Sequence, residues 1–249
     1  MINEELFIKF QEYASNNIIS FFSQEIKKKF EEYFTELTEW NKILNLISFR
    51  NEKELIYRHF CDSLYSAKCI NDIASKDALL NVADIGTGSG MPGIPVKIVL
   101  PNIKMTLVES ITKKCKFLEN VNNKLNLNME ILNTRAEEIG QNPKYRQHYD
   151  FVLSRAVSKF SPNLEICIPL LKVGGYFVVH KTKKSAESIE EGLPSLENAL
   201  KHLGAKLEKT IPYNLPEQEL GYCILIFKKY KNTPSKFPRK SGTPEKKPL

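Results

Sequence analysis

The first part of the chain has apolar side chains at helical spacing. Over residues 26–47 they recur every three or four positions and form one stripe, which predicts a long amphipathic helix. Asn51 can cap a second helix, whose apolar positions run from Leu55 to Tyr65. We therefore expect residues 1–76 to form a helical extension that packs its stripe on the domain that follows.

From residue 77 the pattern changes to short apolar runs that alternate with helical periods. The runs predict strands at 80–85, 104–108, 129–133, 149–153, 175–180, 206–211 and 222–228. The helical periods predict helices at 91–100, 112–125, 161–171 and 185–203. This alternation is typical of an α/β domain with a mostly parallel sheet, here residues 77–228. Because a loop joins the last two strands, we expect a terminal antiparallel strand.

The first of these strands runs into a glycine-rich turn. Glycine lets backbone N–H groups approach a ligand that a side chain would block. The second strand ends in Glu109, whose carboxylate can accept hydrogen bonds from ribose hydroxyls. This arrangement predicts a nucleotide-cofactor site, although such a turn can also serve only to close a tight strand–helix packing. The candidates in the turn are Asp84, Gly86, Gly88 and Gly90.

The spacing of the glycines distinguishes between two cofactors. Gly86, Gly88 and Gly90 form G-x-G-x-G directly after the strand. The dinucleotide pattern G-x-G-x-x-G begins later, at Gly88, and places Pro92 where a helix should donate N–H groups to a pyrophosphate. S-adenosylmethionine (SAM) has no phosphate, so a missing donor matters little there. Both this spacing and the predicted terminal hairpin favour SAM over NAD, and thus a class I, Rossmann-like methyltransferase sheet.

The excess positive charge of the chain lies at its C-terminus. Of the formal net charge of +7, residues 228–249 contribute eight Lys/Arg and one Glu, which leaves 28 basic and 28 acidic residues elsewhere. Proline, glycine and charge with few apolar residues predict a disordered tail over residues 229–249. Such a polycation can bind RNA phosphates or simply keep the protein soluble.

Composition also limits the compartment. No uncharged apolar run reaches the length of a membrane span, and the N-terminus lacks the basic region of an export signal. Five scattered cysteines without a C-x-x-C pair indicate reduced thiols rather than a disulfide framework or a zinc site. We therefore expect a cytoplasmic protein with no membrane partner and no metal.

Several segments together carry a resemblance to a known family. They are WNKILNL from Trp40, RHFCDSL from Arg58, DIGTGSGMPGIP from Asp84, RAEE from Arg135 and YDFVLSRA from Tyr149. With the basic tail, they resemble the bacterial RsmG (GidB) family of 16S rRNA guanine-N7 methyltransferases over almost the whole chain. The resemblance implies SAM as cofactor, the 16S rRNA of the small ribosomal subunit as partner, and a monomeric enzyme.

The resemblance also assigns roles to individual residues. It places Gly86 and Met91 in the SAM loop. Ala136 and Glu137, after the third strand, are expected to contact the adenine. Arg155 lies just past the fourth strand and is expected to contact the cofactor or the target nucleotide.

Guanine N7 has an exposed lone pair and no proton. Attack on a sulfonium methyl group therefore requires in-line placement but no general base. The end of the fourth strand lacks both the Asn/Asp-Pro-Pro-Tyr/Phe box of exocyclic-amine methyltransferases and the nucleophilic Cys of carbon methylation. A ring-nitrogen or oxygen acceptor remains. Arg155 can donate to guanine O6 and so orient the base, or it can offset the charge of a phosphate.

Other residues have two interpretations each. His59, Asp62 and Ser63 share one helical face, which can meet the substrate or form a polar seam. Lys181, in a basic run after the fifth strand, can guide RNA or be solvated. Trp40 is predicted to belong to the core rather than to stack on a base.

Other functions also stay open. A SAM- or nucleotide-sensing RNA-binding protein without catalysis would not transfer methyl groups to RNA, and a small-molecule methyltransferase would keep its activity after deletion of the tail. A NAD-dependent oxidoreductase would be stabilised by NAD rather than by SAM in a thermal shift.

Overall fold

A computed structural model describes residues 3–75, 78–155, 160–191, 193–218 and 221–249. Within these ranges seven strands form one sheet in the order β3-β2-β1-β4-β5-β7-β6. The first five strands run parallel, and β7 is antiparallel to both β5 and β6, which confirms the predicted sheet and hairpin. The strands are β1 (Asn81–Ile85), β2 (Lys104–Glu109), β3 (Glu130–Asn133), β4 (Tyr149–Ser154), β5 (Leu171–Thr182), β6 (Ala205–Tyr213) and β7 (Tyr222–Lys229).

Helices precede the sheet and connect its strands. They are α1 (Glu4–Asn17), α2 (Gln24–Leu44), α3 (Glu52–Glu54), α4 (Asp62–Ile73), α5 (Gly93–Val99), α6 (Thr112–Lys124), α7 (Ala136–Gln141), α8 (Phe160–Cys167), α9 (Lys183–Glu191), α10 (Leu193–Leu203) and α11 (Thr243–Lys246). A π-helical segment, Leu55–Cys61, joins α3 to α4. The single helix predicted over 185–203 is described as two, and α7 and α11 were not predicted. None of the helices in these ranges has the length and hydropathy needed to cross a membrane.

The N-terminal helices share one core with a face of the sheet. Asn51 caps α3 as predicted, because its Oδ1 accepts from the backbone N–H of Glu54 at 2.9 Å. The buried side chains of α1 and α2 belong to the same apolar cluster as residues of β1, β2 and β4. Trp40 packs against this core as predicted, with its ring centroid 5.8 Å from that of Phe117. The helical extension therefore lies on the sheet and is fixed to it by packing.

The C-terminal segment folds back over the domain, which differs from the predicted disordered tail. The Phe237 side chain is buried, and Arg146 donates to the Phe237 carbonyl at 2.6 Å. Arg239 donates from Nε to Oε1 of Glu165 at 2.8 Å, and the Glu165 side chain is fully buried. The composition predicts that these charges are solvated. In the fold, however, Arg239 is paired with a buried carboxylate and the Phe237 ring is packed in the interior.

Candidate functional site

The turn after β1 is held from inside by a buried carboxylate. Asp84 Oδ2 accepts from Thr87 Oγ1 at 2.6 Å and from the Gly93 N–H at 2.8 Å. The other oxygen, Oδ1, is buried and has no hydrogen-bond partner among the described residues. Burial raises the pKa of Asp84 to about 6, against the bonds from Thr87 and Gly93, which lower it. Asp84 therefore fixes the turn and leaves one buried oxygen without a hydrogen-bond partner among the described residues.

The turn requires glycine at three positions. Gly86, Gly88 and Gly90 have φ angles of 68°, 60° and 94°, a region that side chains disfavour. Space is also limiting at Gly90, where a Cβ would lie 2.2 Å from Cδ1 of the buried Ile94. The N–H of Gly88 donates to Glu109 Oε2 at 3.1 Å, so the turn is also tied to the end of β2.

A cavity opens beside this turn, at the carboxyl ends of β1, β2 and β3. Its lining includes four of the predicted cofactor residues, together with residues of α8 and α11, among them Gly86, Glu109, Ala136, Glu137, Asn163 and Glu245. Four other predicted residues, Asp84, Gly88, Gly90 and Met91, shape the turn. Met91 is buried and packs in the apolar core. We call this cavity the first cavity.

Two carboxylates of the first cavity are already hydrogen-bonded to backbone. Glu109 Oε1 accepts from the Ile111 N–H at 2.8 Å, in addition to the bond between Oε2 and Gly88. Glu137 Oε1 accepts from the Gly242 N–H at 2.9 Å, so the C-terminal segment reaches this site. The composition of the tail predicts disorder and therefore gives no sign of this contribution.

Arg155 lies outside the first cavity, in a second cleft. Residues from the N-terminal helices and from the end of β5 line this cleft with it, namely Arg58, His59, Asp62, His180 and Lys181. Arg155 Nη1 is 3.2 Å from Asp62 Oδ2 and donates to the His59 carbonyl at 3.1 Å. Burial opposes ionisation of Asp62, but the facing His180 and Arg155 hold the pKa of its carboxyl well below the ordinary value. Asp62 and Arg155 therefore form a buried ion pair.

Asp62 is also bonded by a side chain from the end of β6. The Tyr213 hydroxyl donates to Asp62 Oδ1 and lies 3.0 Å from His180 Nδ1. His180 Nε2 is 2.5 Å from Ser66 Oγ, and the Tyr65 ring stacks on Tyr213 at 3.9 Å between centroids. Neither His180 nor Tyr213 was a predicted site residue. A basic run was the only sequence signal at His180, and Tyr213 has none.

His59 is neutral in this arrangement. Its Nδ1 contacts Arg155 Nη2, which can only donate, and its Nε2 is 3.2 Å from the Ser48 carbonyl, which can only accept. Nε2 therefore carries the proton. Burial, and then the nearby Arg155 guanidinium, lower the pKa of His59 to about 3.

The other two predicted substrate residues occupy different positions. Ser63 is fully buried, donates to the His59 carbonyl at 2.7 Å and accepts from Arg155 Nη1 at 3.3 Å. Its hydroxyl thus supports Arg155 from behind. Lys181 lines the cleft, with Nζ 5.6 Å from the centroid of the Phe160 ring, and burial lowers the pKa of its amine.

The strand order, the glycine turn after β1 and the acid that ends β2 define a class of protein. They are the arrangement of a class I, SAM-dependent methyltransferase, in which ligands bind outside the carboxyl ends of the strands.

Comparison with known proteins gives the family. Residues 26–207 match the family model GidB, described as rRNA small subunit methyltransferase G. A ribosomal RNA small subunit methyltransferase G of Acetivibrio thermocellus is 41% identical over 89% of this chain and 88% of its own length. One of Alkaliphilus oremlandii is 42% identical over 86% of each chain. This chain belongs to the rRNA small subunit methyltransferase G family and is a SAM-dependent methyltransferase of small-subunit rRNA.

Solved structures show the same fold at much lower identity. TYW2 of P. horikoshii, crystallised with MeSAdo, has a TM-score of 0.52 and 17% identity over 74% of this chain and 65% of its own. The [4+2]-cyclase SpnF has a TM-score of 0.54 and 13% identity over 81% of this chain and 94% of its own. At these identities the likeness concerns the fold alone.

Gly90→Ala is expected to cost more stability than Gly174→Ala. The two glycines have nearly equal φ angles, 94° and 90°, so the backbone strain is matched. Only at Gly90 does an added Cβ meet close neighbours, whereas nothing lies within 4 Å at Gly174. We expect Gly90→Ala to lose about 1–3 kcal/mol more of the free energy of unfolding, measured by urea denaturation. Equal losses would show that the turn is not closely packed.

His59→Gln is expected to flatten the pH dependence of stability. Because the folded pKa of about 3 lies below the ordinary 6.5, the unfolded chain binds the proton more readily. The stabilising effect is complete above about pH 6.5 and declines towards pH 3, by at most about 1.4 kcal/mol per pH unit. Urea denaturation from pH 7.5 to 4 tests this, since other titrating groups are present in both proteins. Parallel curves for the two proteins would contradict a neutral, buried His59.

Proposed function

We propose that this enzyme methylates N7 of one guanine in 16S rRNA, with SAM in the first cavity and the guanine in the cleft of Arg155. Transfer is in line and needs no general base. One observation carries the proposal. In the cleft, the Asp62 carboxylate and the imidazoles of His59 and His180 already have hydrogen-bond partners.

The residues of the first cavity fit SAM. Glu109 lines the cavity with a carboxylate at the end of β2, and in the adjoining turn Asp84 Oδ1 is a buried acceptor without a partner among the described residues. SAM offers donors for both, in its ammonium group and its ribose hydroxyls. The glycines at 86 and 88 leave their backbone open to a ligand. When bound, SAM supplies an electrophilic methyl group on a sulfonium sulfur.

The hydrogen bonds of the cleft suit an acceptor that has no proton to lose. His59 uses Nδ1 for Arg155 and Nε2 for Ser48. His180 uses its two nitrogens for Tyr213 and Ser66. A base that removes a proton needs a free lone pair within reach of the substrate. Guanine N7 needs no such base, whereas an exocyclic amine loses a proton on methylation.

Arg155 is the group best placed to orient the base. Its side chain is 13% exposed, so part of it faces the cleft while Asp62 holds it from behind. Guanidinium groups donate well to guanine O6, and that bond would leave N7 free for the methyl group. Pro162, which lines the first cavity, follows Arg155 by only seven residues, so the two sites are neighbours along the chain.

The rim of the cleft supports RNA as the substrate. Arg58 lines the cleft with its side chain 48% exposed, and Lys181 lines it as well. Such cations can bind the phosphates that flank a target nucleotide. We propose that the protein acts as a monomer on the small ribosomal subunit in the cytoplasm.

Methyl transfer to RNA tests this proposal. The purified protein is incubated with methyl-labelled SAM and either naked 16S rRNA or small subunits, and the label is mapped by cleavage specific to 7-methylguanine. We expect label at a single guanine. Arg155→Ala is expected to lower turnover about 100-fold through misplacement of the base. Arg50→Ala, which removes an arginine with an 86% exposed side chain, should retain activity.

Three outcomes would contradict the proposal. Label at another atom would overturn the N7 acceptor, and full activity of Arg155→Ala would remove Arg155 from the site. Binding of SAM without transfer to either RNA would favour a small-molecule methyltransferase or a protein without catalysis.

A further inference from the structure

The C-terminal segment, residues 230–249, reaches the first cavity along a defined path. It leaves β7 beside Gly204, whose carbonyl accepts from the Tyr230 N–H at 2.8 Å. Thr233 Oγ1 then donates to the Leu203 carbonyl at 2.6 Å. Arg146 donates to three carbonyls of the segment, those of Thr233, Pro234 and Phe237. The first half of the segment is therefore fixed by hydrogen bonds to residues that do not line the cavity.

The second half is fixed beside the cavity by two buried carboxylates. Glu165 of α8 accepts from the backbone N–H, Nε and Nη2 of Arg239, at 2.9, 2.8 and 2.5 Å. Glu137 of α7 accepts from the Gly242 N–H. A buried carboxylate without such donors would be costly, so these bonds favour the docked segment strongly. Both anchors belong to helices that line the first cavity.

The residues beyond these anchors lie at the cavity itself. Helix α11 packs against α8, and Pro244 at its start is buried. Glu245 of this short helix lines the first cavity together with Ala136 and Glu137. The segment thus supplies a wall on the side expected to hold the adenine.

We propose that the segment from Thr243 to Leu249 is part of the cofactor site and retains SAM by closing the purine end of the first cavity. The inference rests on the SAM site proposed above and gives the tail a role other than binding RNA. Arg239 acts as a positioning residue, because it reaches the cofactor only through the segment it anchors. A wall that excludes water from the purine adds buried area and slows release of the ligand.

Deletion of residues 243–249 tests this most directly. The deletion keeps both anchors, the Arg239–Glu165 pair and the Gly242–Glu137 bond, so the rest of the segment should stay docked. We expect the Kd for SAM, measured by calorimetry without RNA, to rise about tenfold, which corresponds to about 1.4 kcal/mol. The deletion also removes the buried Pro244 and the Lys247 carbonyl that accepts from Arg239, so the melting temperature without ligand should fall by a few degrees while the protein stays folded.

Two control variants separate the cavity wall from charge and from stability. Lys236→Ala with Lys240→Ala removes two exposed tail charges that lie outside residues 243–249 and do not line the first cavity, so SAM affinity should be unchanged. Thr233→Val removes a buried tail hydrogen bond outside the cavity and should lower the melting temperature without changing the Kd.

The possible failures are distinguishable. If the full-length protein binds SAM and the deleted protein binds it equally well, the inference is overturned while the proposed function stands. The inference is also overturned if the deletion and the double lysine variant weaken RNA binding equally and neither changes the affinity for SAM. If the full-length protein does not bind SAM, the proposed cofactor site fails and the inference fails with it.

Discussion

The buried ion pair between Asp62 and Arg155 is the interaction on which the arrangement of the second cleft depends. Arg155 directly follows β4, and Asp62 begins α4 in the helical extension, so the pair joins two parts of the fold. Removing Asp62 would leave the half-buried guanidinium without its ion-pair partner, at a cost of up to about 3–5 kcal/mol. Replacing both with apolar groups would often cost little. The pair therefore specifies where the guanidinium lies more than it stabilises the fold.

Asp84 does for the first cavity what Asp62 does for the second cleft. Each is a buried carboxylate that contacts the element it positions, because Asp84 accepts hydrogen bonds from the glycine turn and Asp62 is ion-paired with Arg155. The two differ in charge balance, because His180 and the Arg155 guanidinium both face Asp62. Hence the pKa of Asp62 is lowered, whereas burial raises that of Asp84 to about 6. One fold thus keeps two acids in different electrostatic environments.

Local patterns were enough to predict most of the sheet and the glycine turn. Strands buried on both faces give continuous apolar runs, and positive φ angles favour glycine. Both features can therefore be recognised from residues that are adjacent in the sequence. The family resemblance supplied the assignments of Ala136, Glu137 and Arg155. These roles in binding remain predictions.

Features made by distant residues were not predictable in this way. Tyr213 meets Asp62 across 151 positions, and no local pattern distinguishes it from any other tyrosine at the end of a strand. The composition of the tail predicts disorder, because composition gives the number of charges but not the residues with which they pair. Its order depends on Glu165 and Glu137, acids on helices that the sequence places far from it.

A double-mutant cycle tests most directly whether Asp62 acts on methyl transfer through Arg155. Single-turnover rates on the small subunit are compared for Asp62→Asn, Arg155→Ala and the double variant, with the folded fraction of each checked by circular dichroism. If Asp62 serves to position Arg155, the double variant is no slower than Arg155→Ala alone. If the two losses multiply, the residues act independently, and Asp62 does not position Arg155 for methyl transfer.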